Sequence, residues 1–481
     1  MSALTPTGDH VDAVVVGSGP NGLAAAITLA RAGKRVRVLE AEPTIGGGCR
    51  SAELTLPGFI HDSCSAIHAL VAASPFFRTV PLTDFGVEWI EPPIALAHPF
   101  DDGTAAILTR SIDETAGSLG PDGAAYRALL EPIVKDGAIL LDQFLGPFSV
   151  PRHPVALARF GLSAIRSATG LSKATFAGPR AASMFAGIAA HSMLRLDQPA
   201  SAAFGLVLGL LGHLTGWPFP KSGSQKIIDA MAAYLASLGG AIETGVRVTS
   251  LAQTGDAPAV LFDLTPRQVL AIAGDALPSH YRWQLGRYRY GAGVFKVDWA
   301  LKGPVPWTAE ACHSAGTLHL GGTIEEIAAS ERAVLGGRHP DRPFIIAAQQ
   351  SRFDPTRAPA GHQTFWGYCH VPAGSIVDMT ALIEAQVERF APGFRDLIIA
   401  RSTMGPAEME RHNANYIGGD INAGLQDLRQ LFARPVPRRD PYATPNRRLF
   451  LCSAATPPGG GVHGMGGYYG AKSALRRAPF T

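Results

Sequence analysis

Apolar and polar positions follow three regimes along the chain. In residues 11–75, the apolar run Val14–Val16 leads into glycines. An alanine-rich segment with helical spacing follows and stops at Gly33, and a second apolar run, Val36–Leu39, ends on Glu40. This reads as strand, helix, strand. From about residue 100 to 217, Leu, Ile and Val recur at helical spacing, as in "DETAGSLGPDGAAYRALLEPIVKDGAILLDQFLG", "PVALARFGLSAIRSATGL" and "AASMFAGIAAHSML". A mainly helical insertion is expected there. Its most apolar run, Ala202–Gly212, carries Gly205 and Gly209 four residues apart. It reads either as a buried helix with close neighbours or as a surface helix dipping into a bilayer.

The third regime mixes both periods. "PFPKSGSQKIIDAMAAYLASLGGAIETGVRVTSL" predicts a helix ending at Gly239–Gly240 and a strand over Ala241–Val248, and "AVLFDLTP" predicts another strand. "GVFKVDWAL" alternates with period two. Val294, Lys296, Asp298 and Ala300 fall on one face, and Phe295, Val297, Trp299 and Leu301 on the other. "RPFIIAAQQS" and "HQTFWGYCHV" read as strands and Met379–Phe390 as a helix. Near the end, strand Leu449–Cys452 enters a Pro/Gly loop and a helix begins near Gly466. No internal repeat is present.

The spacing Gly17-x-Gly19-x-x-Gly22 sits between the first strand and its helix. Gly17 permits the tight turn, Gly19 lets backbone approach a pyrophosphate, and Gly22 lets helix and strand pack closely. The helix start offers unpaired N–H groups to phosphate. Glu40 lies 18 residues after Gly22, where a carboxylate accepts hydrogen bonds from ribose hydroxyls. The tail "RRLFLCSAATPPGGGVHGMGGYYGAKSAL" supplies a second glycine-lined helix start but no second GxGxxG. One dinucleotide unit and one further helix start suit one large cofactor held at both ends. FAD fits, with ADP on the first unit and the isoalloxazine against the second, where a helix dipole favours the anion of reduced flavin. Neither NAD nor a metal is expected.

Composition narrows the classes. The 481 residues are enough for two or three domains, and 46% apolar with 17% charged residues is a globular composition. A net charge of +3, with no basic run interleaved with aromatics, argues against nucleic-acid binding. The five cysteines, Cys49, Cys64, Cys312, Cys369 and Cys452, are scattered without a CxxC pair. That argues against a disulfide framework, a zinc site or a dithiol centre and for a reducing, cytoplasmic setting, with the membrane surface as the alternative. "MSALTPTGDH" has neither a basic n-region nor an apolar h-region, so no signal peptide is expected.

The two glycine motifs, "VVVGSGPNGLAAAITLARAGKRVRVLEAEPTIGGG" and "LFLCSAATPPGGGVHGMGGYYGA", resemble those of the phytoene desaturase-like branch of the flavin amine oxidase superfamily. The likeness is to its phytoene dehydrogenase-related and pyridine nucleotide-disulfide oxidoreductase domain-containing members. "LPGFIHDSCSA", "GWPFPKSGSQKIIDAMAAYLASLGG" and "PTRAPAGHQTFWGYCHVP" extend the resemblance over most of the chain. It implies an α/β fold, with a Rossmann-like FAD-binding domain of the glutathione-reductase/amine-oxidase type, a mixed-sheet substrate domain and a helical insertion. The expected division is 10–78, 218–285 and 440–481 for the FAD domain, and 79–217 and 286–439 for the substrate domain.

Carried over by position, Gly17, Ser18, Gly19, Asn21 and Gly22 match the pyrophosphate turn, and Glu40 with Ala41 the ribose site. Gly46, Gly47 and Gly48 match the second flavin loop and Val248 the adenine-contacting backbone. Gly461, Val462, Gly464 and Met465 match the loop under the isoalloxazine. Many family members carry Gly-Gly-Arg in the second loop. Here Gly48 takes the arginine position and Arg50 follows two residues later.

For catalysis, "GVFKVDWALKGPVPW" is similar to the strand carrying the flavin-proximal lysine of amine oxidases, which makes Lys296 a candidate. An ion pair with Asp298 on an exposed sheet face is the other reading. His463, in the loop beneath the flavin, is a candidate proton donor or acceptor, or else a loop histidine satisfied by backbone. His191, His213, His319 and His370 show no metal spacing and read as structural.

The function expected is FAD-dependent oxidation of a hydrophobic, carotenoid- or lipid-like small molecule. It proceeds by hydride transfer from carbon to flavin N5 in a desaturase-type dehydrogenation, with oxygen or a quinone as electron acceptor and peripheral membrane contact. The alternatives are a redox-neutral flavin isomerase or saturase, or a non-catalytic FAD-carrying protein that binds a partner or membrane.

Overall fold

The first apolar run, Ala13–Val16, is the middle strand of a five-stranded sheet in the computed structural model, which describes residues 11–480. Residues 1–10, which carry the expectation of no leader segment and the first domain boundary, lie outside the described residues, as does residue 481. The strand order is Leu449–Leu451, Ala259–Phe262, Ala13–Val16, Val36–Leu39, Ala241–Glu243, with every neighbouring pair parallel. A parallel sheet is covered on both faces, so its strands are continuous apolar runs. All eight residues of the Ala13–Val16 and Ala259–Phe262 strands are buried. Ala13, Val15 and Leu261 pack with helix Pro20–Arg31. Val14, Val16, Val260 and Phe262 pack on the other side with Val269 and Tyr281. The strand expected over Ala241–Val248 stops at Glu243, because the sheet edge ends there and Gly245 turns the chain at a φ of 73°.

The second sheet has seven strands, in the order Ile398–Met404, Gly293–Leu301, Gln363–Val371, Ile345–Ala348, Ala315–Leu320, Ile94–Pro99, Ala105–Leu108. It is antiparallel except where Ala315–Leu320 meets Ile94–Pro99. Phe295, Val297, Trp299 and Leu301 join Ile383, Val387 and Phe390 of helix Thr380–Phe390 in one apolar layer. The opposite face carries polar groups. His319, Ile346, Tyr368 and Lys296 stand in register across four strands. Gly293–Leu301 is buried along its whole length, so Lys296 and Asp298 are not on an exposed sheet face as the ion-pair reading had them.

The helical insertion starts at Ile112, later than the pattern suggested, since Ala105–Leu108 belongs to the sheet. Helix Ser201–Leu214 crosses helix Pro179–Ala190 closely. A Cβ on Gly205 would sit 2.7 Å from the Phe185 ring, and one on Gly212 would sit 2.5 Å from Leu108. Ala202, Gly205, Leu206 and Gly209–His213 are all buried. The reading of this run as a bilayer-dipping surface helix is therefore corrected: neighbouring helices cover it. Among the described residues no helix is long and apolar enough to cross a membrane.

The strands of the parallel sheet come from residues 13–39, 241–262 and 449–451, and those of the mixed sheet from 94–108 and 293–404. On that origin we propose the division into two discontinuous units given above. Two features join the segments. Helix Met465–Arg477 lies against helix Pro20–Arg31, and a Cβ on Gly467 would stand 1.8 Å from the Asn21 carbonyl oxygen. The buried Arg357 guanidinium donates to Asp62 Oδ2 (3.0 Å), Asp354 Oδ2 (3.0 Å) and the Pro220 carbonyl (3.2 Å). It thereby ties the Ser51–Glu53/Ile60–Asp62 hairpin, the approach to helix Gln225–Ser237 and the mixed sheet together.

Gly467→Ala is expected to destabilise the protein by about 1–3 kcal/mol, because backbone rather than a flexible side chain must move. Gly286→Ala, where a Cβ meets nothing within 4 Å, is the control and should cost less than about 0.5 kcal/mol. Urea unfolding of both variants measures the difference.

Candidate cofactor and substrate site

One cavity of about 1080 Å³ runs from the first glycine turn, past the tail loop, to the inner face of the helical insertion and the polar face of the mixed sheet. At the turn, Gly17 adopts a φ of 101°, and its N–H bonds the Leu39 carbonyl at 2.8 Å. Glu40, where the second strand ends, lies buried at the cavity wall. Its Oε2 accepts from the Ser18 N–H (2.8 Å) and hydroxyl (2.6 Å), and its Oε1 from the Glu42 N–H (2.9 Å). A carboxylate has about four acceptor positions, so one is left to face a ribose. Ser18, Gly19, Asn21, Ala41 and Val248 line the same end.

The second loop packs onto the first. Gly46 and Gly47 have φ values of 119° and 55°, and a Cβ on Gly47 would lie 3.3 Å from Gly19 Cα. Gly47 and Gly48 line the cavity, whereas Gly46 sits behind it against Ile228. Gly48 has a clear reason to lack a side chain, since its Cβ would stand 2.0 Å from the Tyr416 hydroxyl. Tyr416 fills the space that a side chain at position 48 would take. Arg50 folds back to donate to the carbonyls of Gly47 (2.9 Å) and His412, which fixes the loop.

At the tail, Gly461, Val462 and His463 line the cavity. Gly464 and Met465, expected there too, stand behind the wall. Gly464 packs against Phe76 and Ala24 with a φ of 66°. The Met465 N–H is taken by His463 Nδ1 (3.0 Å) and the Gly467 N–H by Asn21 Oδ1 (3.4 Å). Two of the first amides of that helix are thus capped by side chains, and its start is less open than the sequence suggested. Gly22 is also behind the wall, and its N–H is spent within the protein.

Both catalytic assignments change. His463 accepts from Met465 at Nδ1, so its proton is on Nε2, which donates to the Gly459 carbonyl (3.1 Å). Burial lowers its pKa to about 4. It is a neutral brace of the loop with no free ring nitrogen, because the backbone satisfies both. Lys296 is 2% exposed and is not among the cavity-lining residues. Its ammonium pairs with Asp298 and lies 5.6 Å from the ring centroid of Trp366, which does line the cavity. The Asp298 carboxylate also stands 3.4 Å from His61 Nδ1. Lys296 is a buried charge behind the wall rather than a group in it, since the Trp366 ring covers it.

The fold also assembles groups that the pattern read as structural or did not single out. His191 and His319 share a hydrogen bond between their Nε2 atoms (2.9 Å), and His191 lines the cavity. Burial, with His370 nearby, lowers the His191 pKa to about 3. His370 Nδ1 in turn meets Glu331 at 2.9 Å. Asp263, at the end of strand Ala259–Phe262, lines the cavity against the glycine turn. An acid that ends an apolar strand was the signal that identified Glu40, and the same rule applied to "AVLFDLTP" finds Asp263. All five cysteines are free.

The residues fit a dinucleotide: two glycine cradles that a Cβ would fill, a carboxylate at the ribose position, and a cavity continuing beyond it. Comparison with known proteins agrees. Residues 15–80 match the model of the NAD(P)-binding Rossmann-like domain. The chain is 26% identical, over 95% of its length and 92% of the relative's, to pyridine nucleotide-disulfide oxidoreductase domain-containing protein 2 of Mus musculus. It is 28% identical to the phytoene dehydrogenase of Streptomyces griseus, over 86% of this chain and 80% of that one. Its fold superposes on cyclohexylamine oxidase from Brevibacterium oxydans with a TM-score of 0.58 at 16% identity, covering 97% and 98% of the two chains. Residues 15–80 thus form a Rossmann-like dinucleotide-binding unit, and the named relatives that the chain resembles over most of its length are oxidoreductases.

Glu40→Ala removes an acceptor for the ribose and the carboxylate that orders Ser18. FAD binding is expected to weaken by about 1.5–3 kcal/mol, as for loss of a charge-assisted hydrogen bond. Titration of cofactor-stripped protein with FAD checks this, and unchanged affinity would remove Glu40 from the site.

Proposed function

We propose that the protein is an FAD-dependent oxidoreductase that dehydrogenates a hydrophobic, lipid- or carotenoid-like small molecule in a desaturase-type reaction, with oxygen or a quinone as electron acceptor. The observation that carries this reading is the continuity of the cavity. Its nucleotide end at Ser18, Glu40 and Val248 opens past Gly461 and Val462 into a chamber walled by Phe144, Phe160, Phe204, Val207, Leu208 and Trp217. An apolar chain entering there lies along the polar sheet face at Thr317, Trp366 and Tyr368 and beside His191.

In this reading Gly17–Asn21 and Glu40 hold the ADP part of FAD, and Gly47, Gly48, Gly461 and Val462 border its flavin. When bound, the flavin supplies a hydride acceptor at the substrate carbon. The protein supplies position and exclusion of water. Lys296, shielded by Trp366 and paired with Asp298, places its ammonium behind the wall, where the dipole of the pair acts on negative charge developing in the site. Phe148, Ile165 and Phe432 line the cavity and are more than half exposed, and Val150, Val155 and Leu162 are exposed beside them in sequence. That apolar rim supports entry of substrate from a lipid phase through contact with a membrane surface.

The test is anaerobic mixing of FAD-loaded protein with polyunsaturated and polyisoprenoid lipids, followed by absorbance at about 450 nm. Bleaching with one of them supports the reading. Conversion of lipid without net bleaching would instead establish a redox-neutral isomerase. No response to any lipid, with FAD fully bound, would favour a non-catalytic carrier. In the double variant Lys296→Met/Asp298→Asn, which keeps the buried charges balanced, flavin reduction is expected to slow about tenfold, or about 1.4 kcal/mol in barrier height. FAD should stay bound. An unchanged rate would leave Lys296 a purely structural charge.

A further inference from the structure

All three glycines of the first turn face one side chain, that of Asp263. The Gly22 N–H donates to Asp263 Oδ2 at 2.9 Å. A Cβ on Gly19 would lie 2.7 Å from that oxygen, and one on Gly17 would lie 3.2 Å from Asp263 Cβ. Asp263 is 7% exposed, and what it exposes lines the cavity. Its backbone is fixed on both sides, by a bond from its N–H to the Val16 carbonyl (2.9 Å) and by one from Asn415 Nδ2 to its own carbonyl (2.9 Å). The carboxyl therefore sits inside the turn that a dinucleotide's phosphates must approach, at the start of helix Pro20–Arg31.

A carboxylate and a pyrophosphate in contact there would be like charges in a poorly screened setting. Among the described residues no lysine or arginine pairs with Asp263 to offset that repulsion. Two chemistries remain: an ionised carboxyl that competes with the phosphates for the helix start, or a neutral one that donates to them. The surroundings favour the second. Burial, with Glu40 at the end of the strand two places away in the sheet, holds Asp263 well above the ordinary carboxylate range against the opposing pull of the Gly22 N–H. Cys452, just past the strand on the other side, is itself pushed up by burial and stays a thiol.

We propose that Asp263 binds the cofactor as a neutral carboxylic acid, accepting from the Gly22 N–H and donating its own proton to a phosphate oxygen of the dinucleotide. The inference rests on the FAD reading above. It gives cofactor affinity a pH dependence of fixed sign. Binding selects the protonated form, so affinity is level below the pKa of Asp263 in the free protein. Above that pKa it falls, by up to about tenfold per pH unit. His412 and His463, which line the same cavity, are held near 4 mainly by burial and stay neutral between pH 6 and 9.

The experiment titrates cofactor-stripped protein with FAD between pH 6 and 9. Calorimetry in buffers of different ionisation enthalpy adds a count of the protons taken up. The wild type should lose affinity as the pH rises through the pKa of Asp263 in the free protein, by up to about tenfold per pH unit, and take up a proton on binding above it. Glu40→Gln, which removes a charge that helps hold Asp263 up, should move the fall in affinity to lower pH. Asp263→Asn, which keeps a donor, should bind FAD within about threefold of wild type at pH 6 and lose the slope, whereas Asp263→Leu should bind weakly throughout. Wild-type affinity that is level with pH and without proton uptake, together with Asp263→Leu binding FAD as tightly as wild type, overturns the proposal. Asp263→Asn binding FAD far more tightly than wild type at every pH also overturns it, by revealing an ionised competitor. A wild type that takes up no FAD at any pH overturns the FAD reading and this proposal together.

Discussion

The site exists because two helices more than 400 residues apart in sequence touch backbone to backbone. Gly467 has no side chain, and the Asn21 carbonyl occupies the space where its Cβ would be. Helix Met465–Arg477 can therefore lie directly on helix Pro20–Arg31, and strand Leu449–Leu451 completes the parallel sheet beside Ala259–Phe262. With that contact made, the loop Gly459–Gly464 is delivered to the cavity that begins at Gly17. Gly470, whose Cβ would stand 2.7 Å from that of Cys452, repeats the arrangement one turn on. Close packing of this kind leaves little room for relaxation, so the geometry is held by sterics more than by any single hydrogen bond.

Charge is handled by pairing behind the wall. Arg357 is offset by Asp62 and Asp354, Lys296 by Asp298, and His370 stands on Glu331. Removing such charges from water is costly unless partners and hydrogen bonds compensate. Each of these groups has them within the protein. The buried histidines of the cavity are neutral, and the charged residues in its lining include Glu40, Arg50, Arg247, Arg434, Arg438 and Arg439.

The sequence by itself determined the regular elements and the nucleotide end of the site. Apolar runs bounded by glycine identify Ala13–Val16, helix Pro20–Arg31 and Val36–Leu39. Period two assigns Gly293–Leu301 and its two faces, since these patterns come from local backbone geometry. Glu40 was legible for the same reason, as it ends a strand at a fixed distance from the turn. What only the tertiary structure decided is which residues meet across the chain. Tyr416 explains Gly48, Trp366 covers Lys296, the backbone of Gly459 and Met465 occupies His463, and Asp263 enters the first glycine turn. None of these pairs is close in sequence except the contacts of His463. Even there, which nitrogen carries the proton depends on a loop conformation set by packing against Phe76 and Ser74. Periodicity encodes which face of an element is buried. It carries no record of which distant side chain fills the space opposite, and in this protein that decides whether a residue lines the cavity or stands behind it.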